Sequence, residues 1–72
     1  MESYKNLHSN SNIVAFDIGN DCISVKFFDG KIYRYSYKSA GVDKVERMKI
    51  LARQGFGLNS YIMRFAKYDY ER

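Results

Sequence analysis

Proline and tryptophan are absent from this 72-residue chain, and cysteine and histidine occur once each, as Cys22 and His8. One cysteine excludes an internal disulfide, and one Cys with one His cannot complete a zinc site built from those ligands alone. An unpaired thiol suits a reducing compartment, which points to the cytoplasm. No apolar run approaches the ~18 residues of a membrane span, and the polar start from Met1 to Asn12 does not read as a signal peptide. Repeats, low-complexity tracts and interdomain linkers are also missing. A chain of 8.5 kDa hides only roughly 60% of the surface its unfolded form exposes. With the covalent staples gone, extra stability has to come from good packing or from oligomerisation.

What the chain does have is positive charge and aromatic rings. Twelve Lys and Arg against eight Asp and Glu leave a net charge of +4, and the pI is near 9.3. That balance tilts the partner list toward anions. Seven tyrosines and five phenylalanines stand beside it.

Residues 1–10 carry no periodicity and read as a loose tail, with a single domain at 11–72. Ile13–Ile18 is β-rich and is broken at Gly19-Asn20. Ile23, Val25 and Phe27 alternate with Ser24 and Lys26 up to a second break at Asp29-Gly30. Tyr33, Tyr35 and Tyr37 then alternate with Arg34 and Ser36.

Side-chain parity constrains both turns. A three-residue loop, Phe28-Asp29-Gly30, pairs Val25 with Tyr33 and Ile23 with Tyr35, and puts Gly30 where a positive φ is needed. A two-residue Gly19-Asn20 loop pairs Phe16 with Ile23 and Val14 with Val25. One face of a three-stranded antiparallel meander then carries Val14, Phe16, Ile18, Ile23, Val25, Phe27, Tyr33 and Tyr35.

Asp43 followed by Glu46 resembles a capping box, and a helix from there to about Gln54 meets a stop at Gly55. Val45, Met48, Leu51 and Ala52 form its apolar stripe. Leu58, Tyr61, Ile62 and Phe65 recur at helical spacing and predict a second helix that ends near Tyr68. The expected fold is α+β, a βββαα order with two C-terminal helices packed against the sheet.

Catalysis finds little support in these residues. His8 lies in the tail, Cys22 has no positioned base, and Asp17, Asp21 and Asp29 sit at turns, where Asp commonly bonds its own backbone. The expectation is a protein that is not an enzyme and holds neither metal nor cofactor. From Lys44 to Arg72 there are seven Lys and Arg against three acids. As a group they suit phosphate oxygens, and tyrosine rings stack on bases. Gly55, Gly57 and the second helix's start could add backbone N–H donors, although no Walker or dinucleotide spacing is present. Tyr37, Tyr61, Tyr68 and Tyr70 exceed what so small a core can hide, and exposed tyrosines are enriched at protein interfaces.

The ordered pieces resemble a known family. Ser11-Asn12-Ile13 opens the first strand, and Val25-Lys26-Phe27 leads through Asp29-Gly30 to Tyr33-Arg34-Tyr35. Gly55-Phe56-Gly57-Leu58-Asn59 precedes Ile62 and Tyr68. This order is similar to the KTSC domain, named for a C-terminal part of a lysyl-tRNA synthetase, over about Ser11 to Tyr68. The chain departs from it at Ala40-Gly41-Val42, where the family has a proline. It departs again at Arg53-Gln54-Gly55, which replaces Ser-Lys-Gly, at Leu58, which replaces an aromatic, and at Ile62-Met63, which replaces Ile-Arg.

The family name implies RNA, and stand-alone members occur in bacteriophages. Small phage proteins include oligomeric sponges that sequester cyclic nucleotide signals. By that analogy the expected function is a homo-oligomer that captures a small anionic nucleotide, such as a cyclic dinucleotide immune signal, in the cytoplasm of a host cell. The expected contacts are Tyr37, Arg53, Asn59 and Arg64, with Ser11 and Asn12 behind them; for Asn59 a helix cap is the somewhat stronger reading. The alternatives are an RNA- or tRNA-binding accessory domain, whose affinity would fall steeply with salt, and a protein-interaction module. The seam between the end of the third strand and the second helix is the place to look.

Overall fold

Short strands in a meander lead into the helices in the computed structural model, which describes residues 1–7 and 11–71. Among these residues four strands form one antiparallel sheet in chain order: β1 (Glu2–Ser3), β2 (Ile13–Ile18), β3 (Cys22–Phe27) and β4 (Ile32–Ser36). Among the described residues four helical pieces follow: α1 (Tyr37–Ala40), α2 (Val42–Gln54), α3 (Leu58–Tyr61) and a π-helical turn at Ile62–Ala66. The α+β class and the order of strands before helices agree with the sequence reading. The number of elements does not.

The second hairpin is the one parity describes. Val25 pairs with Tyr33 and Ile23 with Tyr35. Gly30 has φ +89°, and its N–H donates to the Phe27 carbonyl at 2.9 Å. The first hairpin turns one residue later than expected. Ile18 pairs with Ile23 and Phe16 with Val25, and the Gly19 N–H donates to the Cys22 carbonyl at 2.9 Å, so Asn20-Asp21 form the turn and the register moves by two residues. An even shift keeps every side chain on its face, and Phe16, Ile23 and Val25 are all buried.

Val14 is a correction. Ile13 pairs with Phe27 and Ala15 with Lys26, which leaves Val14 as the extra residue of a bulge. The bulge reverses the alternation beyond it, so Ile13 is 1% exposed and Val14 is 43% exposed. The Val14 carbonyl instead accepts from the Tyr4 N–H at 2.9 Å.

That bond belongs to the largest departure, at residues 1–7, which were expected to be loose. Glu2 pairs with Phe16 and Ser3 with Ala15. Tyr4 is buried in the core, edge-on to Phe16 at 6.5 Å. Its hydroxyl accepts from the Leu58 N–H at 3.3 Å, satisfying a donor that the start of α3 leaves open. The Leu7 N–H donates to the Gly55 carbonyl at 2.8 Å. Gly55 has φ +86°, and a Cβ there would lie 2.8 Å from the Lys5 Cβ. Residues 8–10, including His8, lie outside the described residues.

The helical half also differs locally. Ser36 and Ser39 form a reciprocal capping box that begins α1 at Tyr37, so Tyr37 leaves the strand it was expected to end. Asp43 is not a cap: α2 begins at Val42 after Gly41, with no side-chain cap. Its end is as expected, with Gly55 in the left-handed region and its N–H donating to the Leu51 carbonyl at 3.1 Å.

Val45, Met48 and Ala52 pack on the sheet, joined by Leu58, Ile62 and Ala66. The widened i→i+5 turn keeps those last three, spaced four apart, on the core side. Phe65, expected in the apolar stripe, is turned outward and is 53% exposed. Among the described residues no helix is long and apolar enough to cross a membrane.

Candidate functional site

The seam between β4 and the second helical arm opens into a cleft of about 530 Å³. Three parts of the chain build it. The second hairpin contributes Phe27, Phe28, Asp29, Tyr33 and Tyr35; the helical arm contributes Asn59, Met63 and Lys67; the segment beyond it contributes Tyr68 and Tyr70. Asn12, just before β2, also lines it.

Hairpin parity is what sets Tyr33 and Tyr35 on the same side of β4. Tyr70 is brought onto them because residues 69–71 are strapped to the rest of the fold. The Glu71 N–H donates to the Arg34 carbonyl at 2.7 Å, Arg34 pairs with Glu71 at 3.0 Å, and Lys44 pairs with Asp69 at 2.7 Å.

The rings form a continuous aromatic wall. Phe27 meets Tyr33 edge-on at 5.6 Å, Tyr33 tilts on Tyr70 at 4.8 Å, and Tyr70 stands edge-on to Tyr35 at 6.4 Å. Phe28 and Tyr68 are 72% and 67% exposed at the rim, and rings that open to solvent beside a mostly apolar cleft with a few polar groups suit stacking on a planar ligand.

Burial, with smaller contributions from Tyr33, Tyr70 and Asp69, pushes the Tyr35 hydroxyl up to about 12. It therefore stays neutral at physiological pH. Among the described residues, the carboxamides of Asn12 and Asn59 have no hydrogen-bond partner, so both keep free donors and acceptors at the cleft. Gly57, not Asn59, is the cap of α3. Charge is sparse: Lys67 lies with its ammonium 5.6 Å from the Tyr68 ring, and Asp29 holds the Lys31 N–H at 3.0 Å.

Of the six residues expected from the sequence, only Asn12 and Asn59 line this cleft. Ser11 is a joint in the backbone: its Oγ accepts from the Ile13 N–H at 3.1 Å, and its own N–H donates to Asn6. Tyr37 donates to Glu46 at 2.6 Å, and the Lys49 ammonium sits 5.5 Å from its ring. Lys49 is itself buried, donating to the Asn20 carbonyl at 2.9 Å and paired with Glu46 at 2.8 Å. The contacts to Lys49 and then Tyr37 hold the Glu46 carboxyl below its usual range. This group ties α2 to the first hairpin, which is a structural use of Tyr37. Arg53 is exposed on the last turn of α2 and does not line the cleft. Arg64 faces a different groove, with Arg47, Leu51 and Tyr61.

The sequence reading missed Phe27, Phe28, Tyr33, Met63, Lys67, Tyr68 and Tyr70 as cleft residues. A signal for them existed in the surplus of tyrosines near the chain's end and in the paired aromatics of the hairpin. The arrangement offers ring faces, two free amides, one ammonium and the Asp29 carboxylate, groups that can stack on and hydrogen-bond a planar molecule. No group of three or more His, Cys, Asp or Glu that could hold a metal occurs among the described residues. No protein-family model matches this chain, and neither a curated protein nor a solved structure matches it.

Proposed function

We propose that this protein is a non-catalytic, homo-oligomeric binding protein that sequesters a small anionic nucleotide, with a cyclic dinucleotide as the candidate of first interest. The observation that carries the reading is the cleft's lining, where an aromatic wall stands beside the free carboxamides of Asn12 and Asn59 and the ammonium of Lys67. A base would stack on Tyr68 and Phe28, an amide would read its edge, and Lys67 would meet one phosphate. The similarity to the KTSC domain belongs to the same proposal, and its family name is compatible with a nucleotide ligand.

The test is a thermal-shift series with mononucleotides, cyclic dinucleotides and inorganic pyrophosphate. A ligand at a hundred times its Kd adds about 2.7 kcal/mol, which for a domain of this size raises the midpoint by about 10 °C or more. The expected result is a rise with a nucleotide, none with pyrophosphate, and loss of the rise in Lys67→Ala and Tyr68→Ala. An equal rise with pyrophosphate, or no rise with any nucleotide, overturns the reading. Binding to single-stranded RNA that weakens steeply with salt would replace it with the RNA-binding alternative.

A further inference from the structure

The binding mode proposed above leaves one charged cleft residue without a use. Aside from tyrosine hydroxyls, the polar side chains that line the cleft are Asn12, Asp29, Asn59 and Lys67. The carboxamides and the ammonium suit a nucleotide, but the carboxylate of Asp29 repels a phosphate. A carboxylate accepts hydrogen bonds and donates none. The part of a ligand that meets Asp29 must therefore bring donors.

The loop places and orients that carboxylate. Asp29 follows Phe28, one of the exposed rings offered to a base. The Phe28 N–H donates to the Asn12 carbonyl at 2.8 Å, which sets Asn12 beside the Phe28-Asp29 corner of the loop. Asp29 Oδ1 accepts from the Lys31 N–H at 3.0 Å, an Asx turn that holds the side chain against its own backbone. Among the described residues Oδ2 has no hydrogen bond or ion pair, and Oδ1 keeps a second lone pair. A ring face, a pure acceptor and a carboxamide thus stand together, while Lys67 lies on the helical arm beside Tyr68.

Nucleobases differ in the edge they offer such a group. Guanine carries two adjacent donors, N1–H and the 2-amino group, next to the O6 acceptor. Both carboxylate oxygens can accept from those donors, and a neighbouring carboxamide N–H can donate to O6. Adenine and cytosine each have one amino donor beside a ring-nitrogen acceptor, whose lone pair opposes the second carboxylate oxygen. Uracil and thymine set a single N–H between two carbonyls.

We propose that the cleft selects guanine: the base stacks on Phe28, Asp29 accepts from its N1–H and 2-amino group, and the Asn12 carboxamide donates to O6. The selection rests on the nucleotide reading above and adds which base is held and what holds it. Asp29 is then the residue that sets specificity, and Lys67 is left for the phosphate.

The experiment is isothermal titration calorimetry of the full chain with guanine, hypoxanthine and adenine, each as the 5′-mononucleotide and as the cyclic dinucleotide. Within each set the phosphates are the same, so their contacts cancel from the comparison. Guanine is expected to bind about tenfold or more tighter than adenine, ~1.4 kcal/mol, the discrimination of one good bidentate contact. Hypoxanthine, which keeps N1–H and O6 but lacks the 2-amino group, is expected between the two. Asp29→Asn retains an acceptor for the Lys31 N–H and so keeps the loop. With its fold checked by circular dichroism, it is expected to lose most of the preference. Asn12→Ala is expected to weaken guanine and hypoxanthine alike, since both carry O6. Binding of no member of either set overturns the nucleotide reading and the guanine selection with it. Adenine bound as tightly as guanine overturns the selection and leaves the nucleotide reading standing. A guanine preference that survives Asp29→Asn overturns the role given to Asp29.

Discussion

Two aromatic regions sit only a few residues apart in this fold and use the same side chains in opposite ways. In the core, Tyr4 and Phe16 are 6% and 2% exposed, and the Tyr4 hydroxyl is bonded to the backbone of α3. In the cleft, Phe28 and Tyr68 stand more than half exposed, beside amides with no partner. A buried ring stabilises through area removed from water, provided its polar tip finds a bond. An exposed ring contributes almost nothing to stability and is left with surface to offer. The difference shows that a high tyrosine count has no single meaning: burial and the state of the neighbouring polar groups decide which role each ring takes.

The largest effect that would break this division lies in residues 1–7. Tyr4→Ala is expected to cost about 3–5 kcal/mol, as for other large buried aromatics, measured by urea denaturation. A cost below ~0.5 kcal/mol, the range of surface changes, would return residues 1–7 to a loose tail.

Next comes alkaline pH. Burial raises the Tyr35 hydroxyl from 10.0 to about 12, so the folded chain favours its neutral form. That contribution is complete below pH 10 and is lost as pH climbs through the 10 to 12 window, up to about 3 kcal/mol by linkage. Circular dichroism recorded alongside tyrosinate absorbance should show melting midpoints falling across that window. A flat midpoint would take Tyr35 out of the core.

Tyr4→Phe is a finer test, because it keeps the ring and removes only the acceptor for the Leu58 N–H. It is expected to cost about 1–2 kcal/mol for the unsatisfied donor. An unchanged stability would mean that the bond does not contribute. The smallest expected effect is Tyr68→Ala, within ~0.5 kcal/mol in stability while nucleotide affinity falls. A large destabilisation would move Tyr68 from cleft to core.

Legibility in the sequence followed the range of the interactions. The second hairpin could be read because Val25, Tyr33, Ile23 and Tyr35 obey a local parity, and Gly30 supplies the backbone angle its loop requires. The end of α2 at Gly55 could be read for the same reason. Val14 could not, since its bulge is tied to a bond from Tyr4, ten residues away. The strand at Glu2–Ser3 carries no pattern of its own and exists only through its pairing with Phe16 and Ala15. The capping box of Ser36 and Ser39 was visible in principle, but the alternation of Tyr33, Tyr35 and Tyr37 argued for a longer strand.

The candidate site divides along the same line. Of the expected contacts, Asn12 and Asn59 line the cleft. Tyr37 was taken up by Glu46 and Lys49, Ser11 by the turn with Asn6, and Arg64 by the other side of its own arm. Each of those placements depends on a partner distant in the chain or on the widened π turn.

The sequence by itself determined the class of the fold, the pairing of the second hairpin, the stop of the long helix, and a surplus of aromatic rings with a basic balance. Those follow from period, parity and composition, which act within a few residues. Only the tertiary structure decided which rings are buried, that residues 1–7 complete the sheet and core, and that Asn59 and Arg64 face different grooves of one helical arm. The physical reason is that burial and the satisfaction of polar groups depend on what is close in space, and the strap at residues 69–71 and the π turn set that closeness.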